Sequence, residues 1–86
     1  MTQVIDNHFI GLTEAKSGYL YTIQEIPDKA LALKLMEMGC MKGMQILKQS
    51  TAPFLGPLII KVLPNGNLMA LRFEDAKKVI VKAIVL

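Results

Sequence analysis

From Tyr19 to Ile26 the chain reads YLYTIQEI, with Tyr19, Tyr21 and Ile23 alternating against Leu20, Thr22 and Gln24. A period of two in β-branched and aromatic residues predicts a strand with one face inward. Pro27 and Asp28 close it, and Asp28 then stands as an N-cap. From Ala30 to Met38 the residues are strong helix formers, and Leu31, Leu35 and Met38 fall at i, i+4 and i+7 on one helical face. Gly39 ends that helix. Three further strands are expected at Met44–Thr51, Pro57–Leu63 and Asn67–Arg72, the last two joined by Asn65-Gly66 in the manner of a type I′ hairpin. Phe73–Lys77 reads as one helical turn and Lys78–Val85 as a final β-branched strand. Five short strands and a single helix cannot build a two-layer α/β fold. They suit a mainly β domain, a small partly open barrel of about five strands spanning 12–86, with residues 1–11 as an extension outside the core.

Length and composition narrow the possibilities. A chain of 86 residues has room for one core. Hydrophobic residues make up 52% and the mean hydropathy is +0.40, which leaves apolar surface for a partner. No apolar run approaches the roughly 20 residues that span a bilayer, and MTQVIDNHF lacks the charged start and apolar segment of a secretory signal. One cysteine makes no internal disulfide, in keeping with a reducing cytoplasm. Net charge is +3, and it is lopsided. Residues 1–43 carry four Lys against five acids, whereas 44–86 carry five Lys and Arg72 against Glu74 and Asp75. Nucleic-acid binding calls for a denser basic stripe interleaved with aromatics, so no nucleic-acid partner is expected. The basic half suits an acidic protein or the anionic inner face of a membrane.

One stretch invites a chemical reading. Leu35–Met44, LMEMGCMKGM, packs four methionines and the only cysteine into ten positions, as a soft-metal site would. Its spacing favours packing instead. Gly39 caps the helix, Cys40 folds back near Leu35 as a small buried hydrophobe, and Met41-Lys42-Gly43-Met44 makes a turn with Gly43 at the position that needs positive φ. The methionines are expected to face inward as core filler. His8, the single histidine, lies in the extension, and no metal site, cofactor or catalytic set is expected.

The motifs themselves resemble a known family. MEMGCMKGMQI is similar to the L-G-L-x-P-G-x-x-I segment of ferrous iron transport protein A (FeoA), TAPFLGPLIIKV to its A-P-L-G-D-P-x-x-V stretch, and LMALRFEDAKKVIV to its L-x-L-R-x-x-E-A-x-x-I-x-V ending. Leu12–Ile23, with Gly18, resembles the family's opening strand, so the resemblance spans about Leu12 to Lys82. It implies an SH3-like barrel and a small cytoplasmic accessory of the membrane ferrous transporter FeoB, itself a GTP-binding protein. The iron comes from the resemblance alone. A second reading is a regulatory or metal-responsive module similar to the SH3-like domain at the C-terminus of iron-dependent repressors.

Five residues are candidates for partner contact, each with a simpler alternative. Phe54 and Leu55, between Pro53 and Pro57, form an apolar knob or fold over the barrel end. Arg72 suggests a charge offered to a GTP-hydrolysing partner, or an ion pair with Glu74 or Asp75. Lys77 and Lys78 could meet acidic protein or lipid at the inner membrane face, or serve as solvated edge protection. The tail from Ala83 to Leu86 is apolar enough to extend the last strand or to support a weak homo-oligomer.

Lys42 occupies the turn position where the family pattern has proline, whose ring presets φ. Replacing Lys42 by Pro is expected to raise stability by about 0.4–1 kcal/mol in thermal unfolding, and a clear loss would refute the turn.

Overall fold

The computed structural model describes residues 9–84. Along five of its strands the inward positions alternate as the sequence pattern requires, and they meet in one apolar core. β2 (Leu20–Glu25) contributes Tyr21 and Ile23, β3 (Gln45–Thr51) Ile46, β4 (Leu58–Val62) Leu58, Ile60 and Val62, β5 (Asn67–Leu71) Met69 and Leu71, and β6 (Ile80–Ala83) Val81. Register keeps them opposed, with Tyr21 against Ile46, Ile46 against Val62, Ile60 against Met69 and Ile23 against Val81. All pairings are antiparallel, and one six-stranded sheet runs β1-β6-β2-β3-β4-β5 without closing. This is the mainly β, partly open architecture with one main helix that the pattern implied.

The first strand was not legible. β1 (Phe9–Gly11) lies in the segment expected to be an extension, yet it pairs with β6 through Phe9 and Lys82, Ile10 and Val81, Gly11 and Ile80. Ile10 packs against the core. Three residues are too few to show a period, and the partner strand lies at the other end of the chain. The domain therefore starts before Leu12, and residues 1–8, including His8, lie outside the described residues. At the far end, β6 stops at Ala83 and the Ile84 N–H donates to Leu20.

The helix α1 (Lys29–Glu37) begins as expected. The Asp28 carboxylate accepts the Leu31 N–H at 3.0 Å, and that bond, with Lys78 second, holds its acid below the usual carboxylate range. Leu31 and Leu35 enter the core. Gly39, at φ +88°, reverses the chain, and the Cys40 N–H donates to the Leu35 carbonyl at 2.8 Å with Cys40 buried against the core. Gly43, at φ +92°, shapes the next turn, which the Met44 N–H closes onto the Met41 carbonyl. A four-residue helix, α2 (Phe73–Ala76), follows β5 and seats Ala76 in the core.

Two expectations are corrected. The methionines are not core filler: Met36, Met38 and Met41 are 46%, 49% and 45% exposed, and only Met44 of the four packs against the core. Met38 has already left the helical conformation, and the place above Leu35 goes to Cys40. The β4–β5 connection is a four-residue loop, not a two-residue type I′ turn. Val62 pairs with Asn67, the Gly66 N–H donates to Val62, and Asn65 is not in the left-handed region that a type I′ turn demands. A two-residue loop would set Pro64 opposite Asn67, where a ring nitrogen without hydrogen cannot donate the second bond of the pair, to the Asn67 carbonyl.

One inward position is charged. Lys48 follows Ile46 on the buried face of β3 and is 6% exposed. Its Nζ donates to the Ala15 carbonyl at 2.7 Å and the Thr13 carbonyl at 3.3 Å, tying the 3-10 turn Leu12–Glu14 and the residue after it to the sheet. Burial lowers its pKa from the ordinary 10.5. Because the folded value lies below the unfolded one, the unfolded chain binds more protons between the two. Stability therefore rises with pH through the window just below 10.5 and is lost as pH falls back through the folded value. The difference in urea midpoint between the parent chain and Lys48→Met is expected to shift in the parent's favour across that window. A pH-independent difference would show that the amine titrates normally.

Candidate partner-binding surfaces

The loop between β3 and β4 presents its apolar residues by construction. The Gly56 N–H donates to the Pro53 carbonyl at 3.2 Å, and the Ala52 N–H to the Pro57 carbonyl at 3.0 Å. Between them Phe54 and Leu55 both sit at φ +59°, the sign pattern of a type I′ turn built without glycine or asparagine. Left-handed backbone at a bulky residue costs about 1–2 kcal/mol. Gly56 closes the turn where a side chain does not fit, because a Cβ there would lie 2.7 Å from the Cβ of Ala52. The turn leaves Phe54 99% and Leu55 70% exposed, so it does not fold over the barrel end.

Arg72 emerges close by in topology. Leu58 at the start of β4 pairs with Leu71 at the end of β5, so the loop and Arg72 leave the same end of the sheet. Its Nε lies 3.3 Å from the Asp75 carboxylate, while the side chain remains largely in solvent. Lys77 and Lys78 are directed elsewhere. Lys77 is 3.9 Å from Glu74, and Lys78 is 3.2 Å from Asp28 at the start of α1. Exposed pairs of this kind contribute only about 0–1 kcal/mol. The five candidates thus divide: Phe54, Leu55 and Arg72 share an end, Lys77 stays with Glu74 at α2, and Lys78 belongs with the α1 cap.

A second surface was not anticipated. An open groove of about 490 Å³ is lined by Ala32, Leu33 and Met36 of α1, by Ile26 after β2, and by Met41. Lys29, Lys42 and Glu25 stand among its walls. The signal was present in KALALKLME, which is apolar on more than one helical face, as a helix covered on two sides would be. Assigning Met36 and Met41 to the core concealed it.

Among the described residues no three His, Cys, Asp or Glu side chains come together, and burial pushes the Cys40 thiol up, away from the metal-binding thiolate. No helix among them is long and apolar enough to cross a membrane.

With the curled sheet, its main helix and the glycine-capped turn in view, a model of the FeoA domain matches residues 10–83. The chain belongs to the FeoA family. A FeoA-like protein from Clostridium acetobutylicum, solved by NMR, superposes with a TM-score of 0.76 at 25% identity, covering 100% of this chain and 93% of that one. The crystal structure of an iron uptake regulatory protein, FeoA, gives 0.75 at 27% identity over 90% and 99% of the two chains. A manganese-dependent transcriptional repressor gives 0.77 at 13% identity, covering 94% of this chain and 44% of that chain, a likeness of fold. No curated protein sequence matches significantly.

The Phe54–Leu55 strain makes a stability test of the FeoA loop direct. Replacing Phe54 by Asn and Leu55 by Gly installs the residues a type I′ turn prefers and removes little buried surface. Thermal unfolding is expected to show a gain of about 1–2 kcal/mol, after the loss from glycine's unfolded-state entropy. A loss would mean that the left-handed turn is not held in solution.

Proposed function

We propose that this FeoA protein is a cytoplasmic accessory of ferrous-iron uptake that docks on the membrane transporter FeoB and modulates its assembly or GTP turnover by binding, without catalysis of its own. The observation that carries the reading is the Phe54–Leu55 turn. Two large apolar side chains are held in solvent by backbone geometry that disfavours them, and strain of that kind persists where a function uses it. Arg72, leaving the same end of the sheet, adds a charge that can meet acidic groups of the partner. Iron uptake is named for a solved relative that matches nearly its whole length.

Magnitudes limit what the loop does alone. Fully burying Phe54 and Leu55 is worth about 1.5–3 kcal/mol each, whereas forming a complex costs about 4–15 kcal/mol in lost freedom. The knob is an anchor that needs support from further surface.

The test is co-purification of the full chain with detergent-solubilised FeoB under reducing conditions. The parent chain is expected to be retained, and the Phe54→Asn, Leu55→Gly variant, although better folded, to be lost. Failure of the parent chain to associate would overturn the reading.

A further inference from the structure

The groove beside α1 carries an inference that rests on the reading of the chain as a transporter accessory and assigns that partner a second contact. We propose that the groove receives an amphipathic helix of the transporter whose apolar stripe is flanked by carboxylates.

The helix α1 buries Leu31 and Leu35 and turns Leu33 and Met36, 54% and 46% exposed, toward solvent. With Ile26 and Met41 these line one continuous depression, in which Ala32 allows close approach of another backbone. Unbranched thioethers at Met36 and Met41 adapt their shape to a guest, a recurrent use of methionine at binding surfaces. The charges choose the guest's sign. Lys29 and Lys42 line the groove with no acid within ion-pair distance among the described residues, against the single carboxylate of Glu25. The lining carries net positive charge, which an acidic flank complements.

Topology chooses the guest's form. An extended segment binds by adding to an open sheet edge, and the open edges of this sheet are β1 and β5. The groove instead borders the end of β2, an interior strand held between β6 and β3. Most of its lining belongs to α1 and to the turn at Met41 and Lys42 rather than to a strand, so it suits a helix whose own hydrogen bonds are satisfied internally.

Register also separates the groove from the knob. Thr22 pairs with Gln45, and β2 runs on past that end of β3 to Glu25, with Ile26 just after it, whereas the Phe54 loop leaves β3 at Thr51. Two apolar contacts at opposite ends of the sheet can engage one large partner together, which raises the effective concentration of each for its site. That arrangement supplies the affinity the knob lacks alone.

The experiment measures binding of the full chain to immobilised, detergent-solubilised transporter for the parent, the Phe54→Asn, Leu55→Gly variant and three groove variants. Met36→Gln with Met41→Gln, and separately Lys29→Glu with Lys42→Glu, are expected to weaken binding by about tenfold or more. Met36→Leu with Met41→Leu is expected to bind within about twofold of the parent, because the lining stays apolar. All four positions are exposed, so urea unfolding should match the parent. Where charge reversal lowers stability, Lys29→Gln with Lys42→Gln is expected to give the same ordering at smaller amplitude. If the parent binds, the Phe54–Leu55 variant fails and the groove variants bind like the parent, the groove is not a contact while the accessory reading stands. Tighter binding of the Glu pair would overturn the acidic guest. A parent chain that does not bind removes both readings together.

Discussion

Everything in this FeoA protein depends on covering the inner face of one curled sheet. Five strands send Tyr21, Ile23, Ile46, Leu58, Ile60, Val62, Met69, Leu71 and Val81 to the same side. A face of that size must be shut off from water, because burial of apolar area is the dominant favourable term in folding. The chain has one helix of nine residues to help do so, and the sheet's own curl must do the rest. The helix contributes Leu31 and Leu35, the reversal at Gly39 adds Cys40, and the short turn after β5 adds Ala76. One side of α1 is thereby committed to the core, and its other apolar side is left over.

The same economy explains Lys48. Where β3 meets the 3-10 turn after β1, the backbone presents carbonyls of Thr13 and Ala15, and the lysine amine satisfies both from an inward position. A hydrocarbon there would fill space and leave those acceptors to find other donors. The lysine accepts a cost in desolvation and joins the N-terminal segment to the middle of the sheet. At the opposite extreme, the Phe54–Leu55 turn keeps hydrophobic residues outside at a cost in backbone strain. Polar inside and apolar outside are the two departures from the general pattern, and the second of them is the feature on which the proposed docking rests.

Much of this was legible along the chain. Alternation in YLYTIQEI located β2, the strand expected at Pro57–Leu63 contains β4, and Asp28, Gly39 and Gly43 bounded the helix and the turn after it. Local rules suffice where the interactions are local: an N-cap reaches three residues ahead, and a glycine reversal needs only its own φ. Reading failed where the outcome depended on something distant. β1 exists because β6 arrives beside it. The type I′ signal at Asn65-Gly66 yielded to Pro64, which cannot close the shorter ladder. Period two placed Lys48 on the same face as Ile46, a cue available in the sequence whose meaning required the Ala15 carbonyl.

What the sequence determined by itself was the class of fold, the order of its elements from β2 onward and the family motifs, since each rests on residues near one another along the chain. The tertiary structure decided which apolar residues are core and which are surface. LMEMGCMKGM has the composition of a soft-metal cluster or of packing filler, and it is neither throughout. Cys40 takes the buried place over Leu35, and Met36 and Met41 are turned out to line a groove with α1. Helical periodicity states which residues share a face, but a helix apolar on two faces presents either one until a sheet claims it.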